Sequence, residues 1–115
     1  MKKVRVIFSP EAEEVYKHLN EVAPNSKVDR SILNAINKKV ELIKINIHYG
    51  EPIAKKLIPE EYKTKYEATN LFRVELPNFW RMLYTLTDGE SQIEIVAFVL
   101  DVLGHKEYNK KFGYK

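Results

Sequence analysis

Residues 71–84 read Leu71-Phe72-Arg73-Val74-Glu75-Leu76-Pro77-Asn78-Phe79-Trp80-Arg81-Met82-Leu83-Tyr84, and the register of this stretch decides the fold. Two strand-like runs flank Pro77, and each sets an arginine inside apolar alternation. With a two-residue loop at Pro77-Asn78, Leu76 faces Phe79, and Arg73 and Arg81 fall on opposite faces. With a three-residue loop, Pro77-Asn78-Phe79, Leu76 pairs with Trp80. Phe72, Val74, Leu76, Trp80, Met82 and Tyr84 then share an apolar face, and Arg73, Glu75, Arg81 and Leu83 share the other. The second register separates polar from apolar far better and is the one expected.

Downstream, Asp88-Gly89 is a two-residue hairpin signal. It places Ile93, Ile95, Ala97 and Val99 on the core face and Glu94, Val96 and Phe98 on the arginine face. Upstream, Val4, Val6 and Phe8 alternate as a first strand, and Ser9-Pro10 opens a helix as N-cap and first helical residue. Glu11, Glu13 and Glu14 complement that helix's dipole, and Ala12, Val15, Tyr16, Leu19 and Val22 make its stripe. Ala23-Pro24-Asn25 breaks it. A second helix starts between Ser26 and Asp29, carries Leu33, Ile36, Val40, Ile43 and Ile47, and ends at Gly50-Glu51-Pro52. So short a break predicts a helical hairpin. Residues 53–70 read as a loop with at most a short turn or strand.

The order β-α-α-β-β-β with a basic tail predicts one α+β domain over residues 1–115. A helical hairpin should cover one face of a mainly antiparallel sheet of about four strands. Both arginines should lie on the face away from the helices, beside Val96 and Phe98. That partly greasy surface suits an amphipathic partner segment.

At 115 residues the chain suffices for one core. With 44% hydrophobic and 30% charged residues, wholesale disorder is not expected. No apolar run approaches the roughly 18 residues needed to cross a bilayer. The opening Met1-Lys2-Lys3-Val4-Arg5-Val6-Ile7-Phe8 lacks the long apolar region of a secretory signal. The absence of cysteine excludes disulfides and thiolate metal sites, and suits a cytoplasmic protein. No histidine pair has metal-ligand spacing, and neither a phosphate loop nor a nucleophile elbow occurs. A net charge of +3 leans weakly towards polyanions.

Arg73 and Arg81 are either solvated partners of Glu75 and Glu94 or fixed charges that stabilise a phosphorane-like transition state. His105 is either a general acid or base or a strand-end cap. Tyr108, Phe112 and Tyr114 either stack on bases or pin the tail onto the sheet. Lys55 and Lys56 are loop charges able to ground a phosphate, and Lys106, Lys110 and Lys111 make the tail basic.

The chain resembles the RelE/ParE superfamily, the toxin halves of type II toxin–antitoxin pairs. The resemblance is carried by Lys55-Lys56-Leu57, Leu71-Phe72-Arg73-Val74, Trp80-Arg81-Met82-Leu83-Tyr84 and Gly104-His105-Lys106-Glu107-Tyr108. The tail is most similar to RelE- and HigB-like members. The resemblance implies a RelE-like fold and an mRNA interferase, free or on the ribosome, with a cognate antitoxin as partner. It needs no metal or cofactor, because the ribose 2′-OH attacks its own phosphate. By the same resemblance Arg81 stabilises the phosphate and Arg73 assists. His105 moves the proton, and Lys106 and Tyr108 complete the catalytic set. Lys55, Lys56, Lys110, Lys111 and Tyr114 would hold RNA. Two positions depart from the family's pattern: Glu75 stands where a second basic residue is usual, and Phe112 where some members have a tyrosine. A ParE-like gyrase inhibitor and an inactive partner-binding module are the alternatives.

Overall fold

The computed structural model describes residues 3–88 and 94–113, with backbone only at 94–98, 100 and 105. The chain is α+β. Its elements run β1 (Lys3–Phe8), α1 (Pro10–Val22), α2 (Lys27–Ile45), β2 (Glu51–Pro52), α3 (Glu60–Tyr66), β3 (Phe72–Glu75), β4 (Arg81–Asp88), β5 (Glu94–Leu103) and α4 (His105–Lys111). The sheet has five strands in the order β1-β5-β4-β3-β2. β1 runs parallel to β5, and the other pairs are antiparallel. Among the described residues no helix is long and apolar enough to cross a membrane.

The helix starts follow their caps. Ser9 Oγ accepts from the Ala12 N–H at 3.1 Å, and Ser26 Oγ from the Asp29 N–H at 3.2 Å. α2 stops at Ile45 with Asn46 as its C-cap, short of the expected Gly50, so Ile47 lies beyond it. The main core joins this hairpin to one sheet face. Leu19, Ile32, Ile36 and Ile43 are buried against Val74, Met82, Tyr84, Val99 and Val102. Each such aliphatic side chain contributes roughly 1.5–3 kcal/mol.

The β3–β4 register is the three-residue one: Leu76 N–H donates to Trp80 O at 2.9 Å, and Phe72 pairs with Tyr84. The β4–β5 register is not the expected one. A two-residue turn at Asp88-Gly89 would put Thr87 opposite Glu90, but Thr87 pairs with Val96 and Asp88 with Ile95. The turn itself lies outside the described residues. The shift is even, so Val99 keeps its place on the core face. Glu94, expected to partner an arginine, pairs along the backbone with Lys3, whereas Arg81 faces Leu103 at the far end of β5. Val96 and Phe98, set against Thr87 and Thr85, are likewise not beside Arg81.

A bulge falls between these registers: Tyr84 pairs with Val99 and Leu83 with Asp101, leaving Leu100 as the extra residue. It changes the alternation of β5. Val102 follows Val99 into the main core, and Asp101 turns to the arginine face.

That face, expected to suit a partner segment or the pinned tail, carries a second core. α3 and α4 cover it, with Ile58, Tyr62, Ala68, Leu71 and Tyr108 packed around a fully buried Leu83. The segment read as a loop therefore holds a helix. α3 places Glu60 and Glu61 in its first turn and Lys63 and Lys65 in its last, as the helix dipole favours.

The fifth strand, β2, is held from the main core. Tyr84 is fully buried, stacks on Phe72 at 5.1 Å, donates to Ile47 O at 2.8 Å and accepts from the Gly50 N–H at 2.9 Å. Gly50 is required by close approach: a Cβ there would lie 2.9 Å from Tyr84 Cε1 and 3.1 Å from Arg73 O.

Glu11 clasps α1 to α3 through Lys65 and Tyr66. The Lys65 ammonium, then the Tyr66 hydroxyl, hold its carboxyl down at about 2, from an ordinary 4.5. A depressed carboxyl stabilises the fold fully above its ordinary pKa and loses that contribution as pH falls through the folded value. Between pH 4.5 and about 2 the intact protein should therefore lose more stability than Glu11→Gln, measured by urea unfolding at each pH. Parallel profiles would show that the clasp carries no folding energy.

Candidate functional site

Arg73 on β3 and Arg81, the first residue of β4, lie on one sheet face as diagonal neighbours. Glu75 stands directly opposite Arg81 and two residues along from Arg73. Its carboxylate spans both: Oε1 is 3.4 Å from Arg73 Nε and Oε2 is 3.1 Å from Arg81 Nε. The angles miss hydrogen-bond geometry, and both buried Nε atoms are left without a hydrogen-bond partner. These are ion pairs without directional bonds.

The outer nitrogens are better served. Arg73 donates through Nη2 to Glu51 Oε2 at 2.7 Å and through Nη1 to the Tyr108 hydroxyl at 3.1 Å. Bonding to Tyr108, then to Glu51, holds the Arg73 pKa above its already high ordinary value. Arg81 donates through Nη1 to Trp80 O at 3.2 Å, and its guanidinium carbon lies 5.3 Å from the centre of the Tyr108 ring. Two guanidiniums thus share one tyrosine and meet two carboxylates, so the cluster is near neutral. The arginine side chains keep 25% and 16% of their surface exposed, against 66% for Glu51 and 59% for Glu75. The carboxylates are the more exposed half of the arrangement.

Arg73 and Tyr108 also wall a depression of about 190 Å³, closed by Glu51, Ile53, Leu57 and Phe112. Lys55 and Lys56 are exposed on a single 3₁₀ turn, Lys55–Leu57, at its edge. Lys106 and Lys110 are exposed on α4. His105 is the first residue of that helix, after the cap residue Gly104. Tyr114 lies outside the described residues.

Of the two readings of the tail aromatics, the described pair follows pinning: Tyr108 is 4% exposed and packs on Phe112 with ring centres 4.6 Å apart. Lys111, expected to hold RNA, instead binds Glu61 at 2.6 Å and Asp101 at 3.5 Å, over the Tyr62 ring. Burial alone would lower its pKa, but Glu61 and Asp101 more than offset that.

Three residues escape a reading of the sequence. Tyr62 donates to Asp101 Oδ2 at 2.7 Å, and burial followed by the Asp101 charge pushes the phenol well above its ordinary pKa. Asp101 had a signal, as a lone charge in the apolar run of β5. Glu51 had none, because a two-residue edge strand leaves no periodicity. No protein-family model, curated protein or solved structure matches the chain.

Proposed function

We propose that this chain is a RelE-like toxin of a type II toxin–antitoxin pair, and that it cleaves mRNA without a metal. The observation that carries the reading is the co-facial Arg73–Arg81 pair, braced by Tyr108 and adjoining α4, which begins at His105-Lys106. A carboxylate already reaches both guanidiniums with its two oxygens, a span that two phosphate oxygens would match.

In the proposed reaction the ribose 2′-oxygen forms a bond to its own phosphorus and passes its proton to a base, for which His105 is the candidate. The bond to the 5′-oxygen breaks and that oxygen takes up a proton. The products are a cyclic phosphate and a 5′-hydroxyl. Arg81 and Arg73 stabilise the extra negative charge on the phosphorane-like transition state. Lys55, Lys56, Lys106 and Lys110 add backbone contacts. For the scissile phosphate to enter, Glu75 must swing outward, which its 59% exposure permits. A cognate antitoxin would be the protein partner.

One observation favours a second reading. Glu51 and Glu75 already neutralise the arginines, as expected of an inactive module that keeps the fold for partner binding.

Induced expression separates these. The toxin reading expects growth arrest with new transcript ends bearing 5′-hydroxyls and cyclic phosphates. Arrest with intact transcripts and altered supercoiling would point to gyrase instead, and unimpaired growth to the inactive module. Glu75→Gln should tighten RNA binding by up to about fivefold, the worth of one partly exposed ion pair at about 0.2–1 kcal/mol.

A further inference from the structure

Arg73 meets two carboxylates on different edges of its guanidinium. Glu75 lies against Nε, between Arg73 and Arg81, whereas Glu51 accepts from Nη2 at 2.7 Å. A phosphate that takes the place of Glu75 leaves Glu51 where it is. Glu51 is also held differently, because its backbone is pinned on both sides. The Gly50 N–H donates to the buried Tyr84 hydroxyl, and the Ile53 N–H donates to Leu71 O at 2.9 Å. Glu51 Oε1 takes no hydrogen bond among the described residues. The carboxylate helps to line the depression of about 190 Å³ beside Arg73, where Ile53, Ala54, Leu57 and Phe112 supply apolar surface.

That volume is below the roughly 300–1,000 Å³ of pockets for drug-sized ligands, and suits a single ring system. A carboxylate accepts hydrogen bonds and does not donate them, so its paired oxygens call for two neighbouring donors. Among the four RNA bases only guanine sets two donors side by side, N1–H and N2–H, on the edge that an unpaired base offers to protein. Adenine and cytosine place one amino donor beside a ring acceptor. Uracil places its one donor between two carbonyl acceptors. Each would turn a lone pair towards the carboxylate. We propose that this depression selects guanine in the RNA strand whose phosphate the Arg73–Arg81 pair holds, with Glu51 accepting from N1 and N2 of the base. The proposal rests on the reading of this site as an RNA-cleaving one and names the base it selects. The two carboxylates then have separate roles: Glu75 gives way to the phosphate, and Glu51 stays to read the base.

The test uses the intact protein and a short fluorescein-labelled oligouridylate with 2′-O-methyl riboses, which cannot be cut. Its central base is guanine, adenine, cytosine, uracil or hypoxanthine, the last being guanine without its N2 amino group. Fluorescence anisotropy should show the wild type binding the guanine oligomer about 5- to 150-fold more tightly than the adenine, cytosine and uracil ones, the discrimination of one bidentate pair. Glu51→Gln should abolish that gap without lowering the melting temperature, since the side chain is 66% exposed. If Glu51→Gln tightens binding to every oligomer alike and keeps the gap, Glu51 is only a counter-charge and the base-reading role is refuted. The hypoxanthine oligomer needs no variant: binding as tight as that of guanine would refute the two-donor contact. Equal binding of all five by the wild type would refute guanine selection and leave the RNA-cleaving reading standing. Guanosine 3′-monophosphate that competes as well as the guanine oligomer would make this a free-nucleotide site and overturn its assignment to RNA. If the wild type binds no oligomer, the functional reading fails and takes guanine selection with it.

Discussion

Under the proposed function, Arg81→Ala should slow RNA cleavage about 10²–10³-fold while leaving the fold intact. A fixed donor that meets charge developing in the transition state is worth about 2.7–4 kcal/mol of barrier, far more than a solvated ion pair. The fold should tolerate the change because its main partner, Glu75, is 59% exposed and can rehydrate. The peptide oxygen of Trp80 loses one donor, and Tyr108 keeps its bond from Arg73. Arg81→Lys should recover only part of the rate, since an ammonium keeps the charge but not the planar fork. Single-turnover cleavage beside a thermal melt of each variant gives the answer. Cleavage by Arg81→Ala at the wild-type rate would remove Arg81 from the chemistry.

The largest expected loss of stability lies at Leu83. It is fully buried beneath α3 and α4, in the cluster that holds Tyr62 and Tyr108. Leu83→Ala removes buried methyl groups and leaves a cavity within a cluster that includes Ile58, Leu71, Tyr62 and Tyr108. The cost should be about 2–5 kcal/mol. In a chain of this size that lowers the melting temperature by on the order of 10 °C. The damage should also be directional. Hydrogen exchange should show α3 and α4 losing protection before the α1–α2 hairpin, because only the outer layer rests on this residue. A uniform loss across both layers would mean that the sheet and its two faces unfold as one unit.

Leu83 also marks where the sequence becomes hard to read. The three-residue turn at Pro77–Phe79 was legible because one register sorts the charges of two strands and the other mixes them. The α1 and α2 stripes were legible for the same reason, each long enough for a 3.6-residue period to emerge and each opened by a serine cap. α3 spans seven residues, and only Tyr62 and Tyr66 recur at helical spacing, too little for periodicity to register. Without α3, Leu83 looked like one more apolar residue, with Val96 and Phe98, on a partly greasy face. Asp88-Gly89 misled in a different way. Its local preference for a tight turn yields to β5, which must pair with β1 on one side and β4 on the other, and that fixes the register from a distance. No sequence signal marks the bulge at Leu100, yet it decides that Asp101 meets Tyr62 and Lys111.

At the candidate site, the shared face of Arg73 and Arg81 was legible from alternation alone. What surrounds them was not. Glu51 comes from an edge strand whose position depends on contacts remote in sequence, and the burial of Tyr108 depends on α4 folding back over the sheet.

The phenol of Tyr84 gives the two sheet faces a common control. It fastens the chain between Ile47 and Gly50 from the hydrophobic interior, and the next residue, Glu51, reaches Arg73 on the opposite side. The carboxylate at that guanidinium therefore follows a stretch of backbone tied to a fully buried phenol. Part of the positive charge that Arg73 shows outside is thus governed from within, through Glu51, by how firmly one buried tyrosine holds a single turn of backbone.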